Sequence, residues 1–149
     1  KHLASVQLGY FTEVFGRDPG WELPWFADDA EPDADLWVPA SESREDVLAL
    51  HRHSAAVSDT TITELDLDAA GVVPWWPPER REVTLHQILV HVLVETARHA
   101  GHADIVRELI DDHAGMGPAD ANLTARTADE WRAHVARIEE SARQALEGR

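Results

Sequence analysis

The stretch ILVHVLVETARHAGHADIVREL, residues 88–109, decides how this chain folds. From Ile88 to Val94 the side chains are apolar on nearly every side of a helix, which is typical of a buried central helix. One glutamate and three histidines follow the same helical face: His91, Glu95, His99 and His102. At about 100° per residue these four positions lie within an arc of roughly 80°. We therefore predict a buried helix that carries a single polar stripe.

The carboxylate of Glu95 requires a partner if this helix is buried. A buried carboxylate without a cation, a proton or hydrogen-bond donors costs several kcal/mol. Glu95 and His99 are one helical turn apart, so both side chains can converge on one ion. A third ligand must come from another helix, and His2 is the leading candidate because Leu3 and Val6 turn its amphipathic helix inward. Two imidazoles and one carboxylate with an open position describe a catalytic type of metal site.

A polar network without an ion is the alternative to this metal site. In that interpretation Glu95, Arg98 and His99 satisfy one another by hydrogen bonds and ion pairs. If an ion is bound, its identity stays open, because imidazole plus carboxylate suits zinc, nickel and iron alike. A calcium loop is not indicated: the acidic run at residues 28–35 lacks the glycine and the terminal glutamate of such a loop, so we expect a solvated surface loop there.

Periodicity and capping residues predict four helices, at residues 1–16, 43–60, 84–112 and 127–146. Ser43 is the expected N-cap of the second helix. Capping boxes, with Thr followed three residues later by Gln or Glu, open the third and fourth helices at Thr84 and Thr127. Loops fill the remainder, with a short strand or extended piece at residues 61–67. Because an apolar period begins at once, we expect residue 1 to lie inside a helix whose earlier part is missing.

The composition restricts the class of protein. A length of 149 residues fits one domain, residues 1–149. The net charge of −15 repels phosphate backbones and anionic lipid, so we expect neither nucleic acid nor a membrane as a partner. No signal peptide is recognisable and no apolar run approaches the ~18 residues of a membrane span, which favours the cytoplasm. The absence of cysteine excludes disulfides, thiolate ligands and a cysteine nucleophile.

Three segments of the chain resemble a known superfamily. They are KHLASVQLGYF at residues 1–11, VTLHQILVHVLVETARHAGHADIVRELIDD at 83–112 and DANLTARTADEWRAHVARIEESAR at 120–143. Together they are similar to the DinB-like (YfiT-like) superfamily, and most of all to an uncharacterised branch common in mycothiol-making bacteria. That branch is related to the N-terminal domain of mycothiol-dependent maleylpyruvate isomerase. The resemblance implies an all-α four-helix bundle of DinB/YfiT type whose first helix is lacking in this chain.

The resemblance also implies site residues. It assigns the three metal ligands to His2, Glu95 and His99, with the Glu-then-His order of mycothiol-dependent maleylpyruvate isomerase. His102 occupies a position where many relatives have glutamine, which implies either a fourth ligand or a residue that contacts the ligands. His102 or His91 would then act as catalytic residues that orient ligands or move a proton, since imidazole exchanges protons near neutrality.

The function implied by the resemblance is that of a metal-dependent, thiol-dependent transferase or isomerase. A divalent metal, zinc first and nickel or iron as alternatives, would activate a mycothiol-type thiol that attacks a small electrophilic substrate. The alternatives are a non-catalytic helical protein that binds a metal or small ligand, and a helical subunit whose polar stripe is only structural. We also expect a homodimer, because bundles of this class pair and an incomplete bundle exposes apolar surface.

Overall fold

The computed structural model describes residues 1–115, 117 and 123–148. Within these residues the chain is mostly helical and adds a small two-stranded sheet. The helices are α1 (His2–Phe11), α2 (Arg44–Glu64), α3 (Leu85–Asp111) and α4 (Ala128–Glu147), and the strands are β1 (Ala70–Val72) and β2 (Glu82–Thr84). The all-α prediction is thus confirmed in its broad form. The bundle arrangement and a helix before residue 1 stay predictions.

The chain divides into two compact units, Lys1–Gly101 and His102–Arg149. The first contains α1, α2, the β-hairpin and most of α3, and the second contains the end of α3 and α4. The assignment of the whole chain to one domain stays a prediction. None of the helices in the described ranges combines the length and the apolar character that crossing a membrane requires.

The core of the first unit lies around α1. One cluster joins the end of α1 and the 3-10 turn Glu13–Phe15 to the hairpin and α3; its buried members are Tyr10, Phe11, Val14, Val73, Val83, Leu85, Ile88 and Val92. A second cluster joins the start of α1 to α2 and a loop; it contains Ala4, Leu8 and Leu50, with Leu23, Trp25 and Val57 packed against them. α1 is therefore held by α2 along one side and by the hairpin and α3 along another.

The hairpin packs against the turn that follows α1 and leads directly into the start of α3. β1 and β2 are antiparallel, with Gly71 opposite Val83. A Cβ atom on Gly71 would lie 2.8 Å from the side chains of Phe15 and Val14 and 2.9 Å from the Val14 carbonyl oxygen, so a residue without a side chain is needed here. β2 ends at Thr84, and α3 begins at the next residue. Contacts at the hairpin therefore position α3 relative to α1.

Both predicted capping boxes are present. The backbone N–H of Thr84 donates to Gln87 Oε1 at 2.8 Å, and the Thr84 hydroxyl accepts from the Gln87 N–H at 3.3 Å. Thr127 and Glu130 make the same pair of bonds, at 2.7 and 3.3 Å, at the start of α4. Ser43 also caps α2 as predicted. Of the segment at 120–143 that carries the resemblance, residues 120–122 lie outside the described residues.

The predicted end of α2 near residue 60 is wrong, and with it the strand or extended piece expected from residue 61. α2 continues to Glu64, so its last turn occupies part of the segment at 61–67 where a strand or extended piece was expected. The first strand instead begins at Ala70. Thr61 is fully buried on α2, and this packing outweighs the preference of threonine-rich sequence for strand.

α3 is not buried on every side, which corrects a further expectation. Its buried side chains are Leu85, Ile88 and Val92, whereas Val90, Leu93 and Val94 are exposed. The first unit covers the helix along one stripe only, where α1 and the hairpin contact it. A Cβ atom at Gly101 would meet open space, so no close packing requires a glycine at this position of α3.

Candidate metal centre

Three side chains from two helices meet in the first unit: His2 of α1 and Glu95 and His99 of α3. One ligand atom from each lies within 4.8 Å of the other two. His99 Nε2 is 3.0 Å and His2 Nε2 is 3.6 Å from the same oxygen, Glu95 Oε1. The residues predicted as ligands are therefore brought together. No other group of three potential His, Cys, Asp or Glu ligands occurs in the described part of the chain.

An antiparallel contact between α1 and α3 produces this meeting. The rings of His2 and His99 have centroids 4.7 Å apart. About two turns further along α1, Tyr10 contacts His91, which lies about two turns before His99 on α3, again with ring centroids 4.7 Å apart. The two contacts are separated by the same number of residues on α1 and on α3, so they belong to one antiparallel packing of the two helices. The core packing that holds α1 against α3 therefore also sets the positions of the ligands.

Glu95 is only partly buried, contrary to the expectation of a deeply buried carboxylate. Its side chain is 31% exposed, and those of His2 and His99 are 26% and 29% exposed. Burial raises the pKa of Glu95, but hydrogen bonds from His99 and His2 and the charges of both rings outweigh it, so the pKa lies below its ordinary value. Imidazole donors and partial solvation together explain the ionised carboxylate. The alternative pairing with Arg98 is not found among the described residues.

Asp35 belongs to the site although no pattern in the sequence predicted it there. The segment at 28–35 was expected to be a solvated surface loop, and this is wrong for Asp35, which is 9% exposed. Its Oδ2 accepts a hydrogen bond from His2 Nδ1 at 2.5 Å. The one sequence signal is its position directly before the apolar triplet Leu36–Val38, where the loop returns to the protein.

A cavity of about 280 Å³ adjoins the three clustered side chains. Two of them, His2 and His99, line it together with Asp35 and Lys1. The Lys1 ammonium is paired with Glu42 at 3.1 Å, so its charge is already compensated. The rest of the wall is apolar and consists of Leu3, Leu36, Trp37 and Val38. The volume is close to the lower end of the roughly 300–1,000 Å³ that ligand sites occupy, so the cavity suits a small molecule with an apolar part.

The two predicted catalytic histidines, His91 and His102, lie outside the cluster of three. His91 is half-buried, and its ring is 4.7 Å from Tyr10 and 5.0 Å from Trp76. His102 is exposed on the part of α3 that belongs to the second unit. A catalytic role for either residue stays a prediction.

The donor set fits a divalent transition metal or zinc. Imidazole nitrogen suits zinc, nickel and iron, and a carboxylate adds one negative charge to the set. Three protein ligands leave a further coordination position for an external molecule, and the cavity lies beside the two imidazoles. Fold and site together define a mostly helical protein with a candidate His–Glu–His metal centre beside a small apolar cavity.

Comparison with known families identifies the group to which such a protein belongs. The family model described as mycothiol-S-transferase matches residues 1–112, which contain the whole cluster, Asp35 and the cavity wall. The chain therefore belongs to the mycothiol-S-transferase family, which is DinB-like, and the resemblance to this mycothiol-related branch is confirmed. No curated protein and no solved structure matches the chain.

Proposed function

We propose that this protein joins a mycothiol-type thiol to a small electrophile at a metal centre held by His2, Glu95 and His99. The observation that carries the proposal is the convergence of these three side chains within 4.8 Å, in a segment that the transferase family matches. When bound, a divalent ion, zinc in the first place and nickel or iron as alternatives, would lower the pKa of the thiol and so supply a thiolate nucleophile.

The protein side chains would hold the ion and shape the reaction around it. Glu95 compensates part of the charge of a divalent ion, and two neutral imidazoles leave a net positive charge that favours a bound thiolate. The thiol proton needs an acceptor, and we propose His91 or His102 for this role because both are imidazoles on the helix that carries Glu95 and His99.

The cavity is the proposed site for the electrophile. Its walls at Leu3, Leu36, Trp37 and Val38 favour a substrate with an apolar body, since burying apolar surface contributes about 25 cal/mol per Å². His2 and His99 also line the cavity, so the reactive end of such a substrate would lie next to the ligand cluster. A small apolar electrophile is therefore the substrate class that we propose.

Metal content of matched variants tests the proposal. After loading with zinc, elemental analysis should find a stoichiometric ion in the wild type and in Glu108→Gln, which alters an exposed glutamate of the same helix. Glu95→Gln should hold less than a stoichiometric amount. Full occupancy of Glu95→Gln would contradict the assignment of the ligands.

Activity separates the enzyme from the alternative functions. Loss of a mycothiol-type thiol in the presence of a small electrophile should require the loaded metal and stop when a chelator removes it. Stabilisation by a ligand without turnover would instead establish a non-catalytic binding protein. A wild type that binds neither metal nor thiol would leave the polar stripe with a structural role only.

We also propose that two copies of the chain pair through the exposed apolar side of α3. Leu93 and Val94 are 68% and 62% exposed, and full burial of such a side chain contributes about 1.5–3 kcal/mol. Light scattering should give the mass of a dimer for the wild type and of a monomer for the double variant Leu93→Gln, Val94→Gln. A monomeric wild type at high protein concentration would overturn this proposal.

A further inference from the structure

We infer that Asp35 is a positioning residue, which fixes the imidazole of His2 so that its Nε2 atom faces Glu95 and His99. This inference rests on the proposed function, because it concerns the orientation of a proposed metal ligand. Asp35 belongs to the loop between α1 and α2 and therefore comes from outside both helices that supply the ligands.

The two nitrogens of the His2 ring face different carboxylates. Nδ1 is 2.5 Å from Asp35 Oδ2, whereas Nε2 is 3.6 Å from Glu95 Oε1. Both carboxylates only accept hydrogen bonds, and the contact to Asp35 is much the shorter, so Nδ1 is the nitrogen that keeps the one N–H of a neutral ring. In the neutral ring the lone pair of Nε2 then faces the cluster, whereas a protonated ring donates from Nε2 to Glu95 as well. A lone pair in this position is what metal coordination by histidine requires.

The low exposure of this pair gives the hydrogen bond its orienting effect. The side chain of Asp35 is 12% exposed, so little water competes for its carboxylate oxygens. His2 is the first residue of α1. Besides the bond to Asp35, its ring contacts the ring of His99 at an interplanar angle of 60°. A metal ion would thus meet a ring that is already oriented, and less side-chain entropy would be lost when it binds.

A purely structural role for Asp35 is the competing explanation. Asp35 precedes the segment Leu36–Val38 in the cavity wall, so its bond to His2 also ties this segment to α1. A structural tie through the same hydrogen bond predicts lower stability in an Asp35 variant and the same proton on Nδ1, but it predicts no loss of zinc affinity in a variant that folds. The zinc affinity of folded variants therefore distinguishes the two explanations.

Zinc affinity is the first measurement, made by competition with a chromophoric chelator. Loss of a carboxylate that orients a metal-bound histidine typically weakens metal binding about 10–100-fold, and we expect a loss of that size for Asp35→Ala. Asp35→Asn should lose less, because its amide oxygen still accepts from Nδ1. Asp29→Asn, which removes a charge from an exposed position in the same loop, should bind zinc like the wild type.

The tautomer of His2 in the metal-free wild type is the second measurement, made by ¹H–¹⁵N correlation spectroscopy at a pH where the ring is neutral. We expect the proton on Nδ1; a ring protonated on Nε2 alone overturns the inference even if Asp35→Ala does not fold. Unchanged zinc affinity in a folded Asp35→Ala also overturns it and leaves the proposed function standing. If the wild type binds neither zinc nor nickel nor iron, the proposed function fails, and the inference fails with it.

Discussion

Replacing Gly71 by alanine tests the contact that holds α1 against the hairpin and α3. The added Cβ would lie 2.8 Å from side-chain carbons of Phe15 and Val14 and 2.9 Å from the Val14 carbonyl oxygen. Carbon atoms pack best at about 3.5–4.0 Å, so β1 or the turn must move by roughly 0.7 Å. The carbonyl oxygen belongs to the backbone and cannot rotate away as the end of a side chain can.

The expected cost of Gly71→Ala is about 1–3 kcal/mol, the usual range for overpacking in a core. Alanine is otherwise favoured over glycine in a strand by roughly 0.5–1 kcal/mol, so a net loss of stability in the variant must come from the steric contact. For a unit of this size each kcal/mol lowers the Tm by roughly 4–8 °C. Because the contact positions α1 relative to α3, zinc affinity should fall as well.

Thermal and urea unfolding of Gly71→Ala, followed by circular dichroism, measure this effect. Gly101→Ala is the matched control, because the same change on the open side of α3 meets no atom within 4 Å. It should stabilise the protein by up to about 1 kcal/mol through helix propensity. A Gly71→Ala protein as stable as the wild type would refute the steric reasoning.

Three further predictions concern a helix cap, the clustered carboxylate and the cavity wall. Ser43→Ala removes the acceptor of a backbone N–H at the third residue of α2 and should cost about 1 kcal/mol in urea unfolding, whereas the exposed Ser41→Ala should cost nothing measurable. Because the pKa of Glu95 is lowered by folding, its ionised form contributes stability above the ordinary glutamate pKa, and this contribution is lost as the pH falls through the lowered value. The free energies of unfolding of the metal-free wild type and of Glu95→Gln, measured at a series of pH values, should therefore differ near neutrality and converge in acid. A difference that is the same at every pH would contradict the lowered pKa of Glu95. Trp37→Ala should raise the KM for an apolar electrophile roughly tenfold with little change in kcat. This is the effect of losing about 1.4 kcal/mol of binding energy that the bound substrate and the transition state share. Trp21→Ala, outside the cavity, should leave KM unchanged.

The features that sequence predicted well depend on neighbouring residues. The capping boxes at Thr84 and Thr127 join residues three positions apart, so their spacing alone specifies the hydrogen bonds. The pairing of Glu95 and His99 is local in the same sense, since one helical turn separates them. His2 lies far away in sequence, and it was identified by the need for a third ligand and by the family resemblance.

The features that sequence did not predict depend on distant parts of the chain. Whether α3 is covered on one side or on all sides is decided by its neighbours, and its apolar composition is the same in either case. α2 likewise turns small polar side chains, among them Ser54, Ser58 and Thr61, toward the interior. The role of Asp35 follows from the return of a long loop to the start of α1, and the apolar triplet after Asp35 does not specify where the loop returns.

Thr84 belongs to two elements at once, and this has a consequence for the motions of the protein. It is the last residue of β2, opposite Ala70, and its backbone and hydroxyl also make the bonds that begin α3. Separation of the strands would therefore release the first turn of the helix. Amide hydrogens of the hairpin and of that turn should exchange with solvent deuterium at a common rate, as one cooperative opening unit, while amides further along α3 exchange independently.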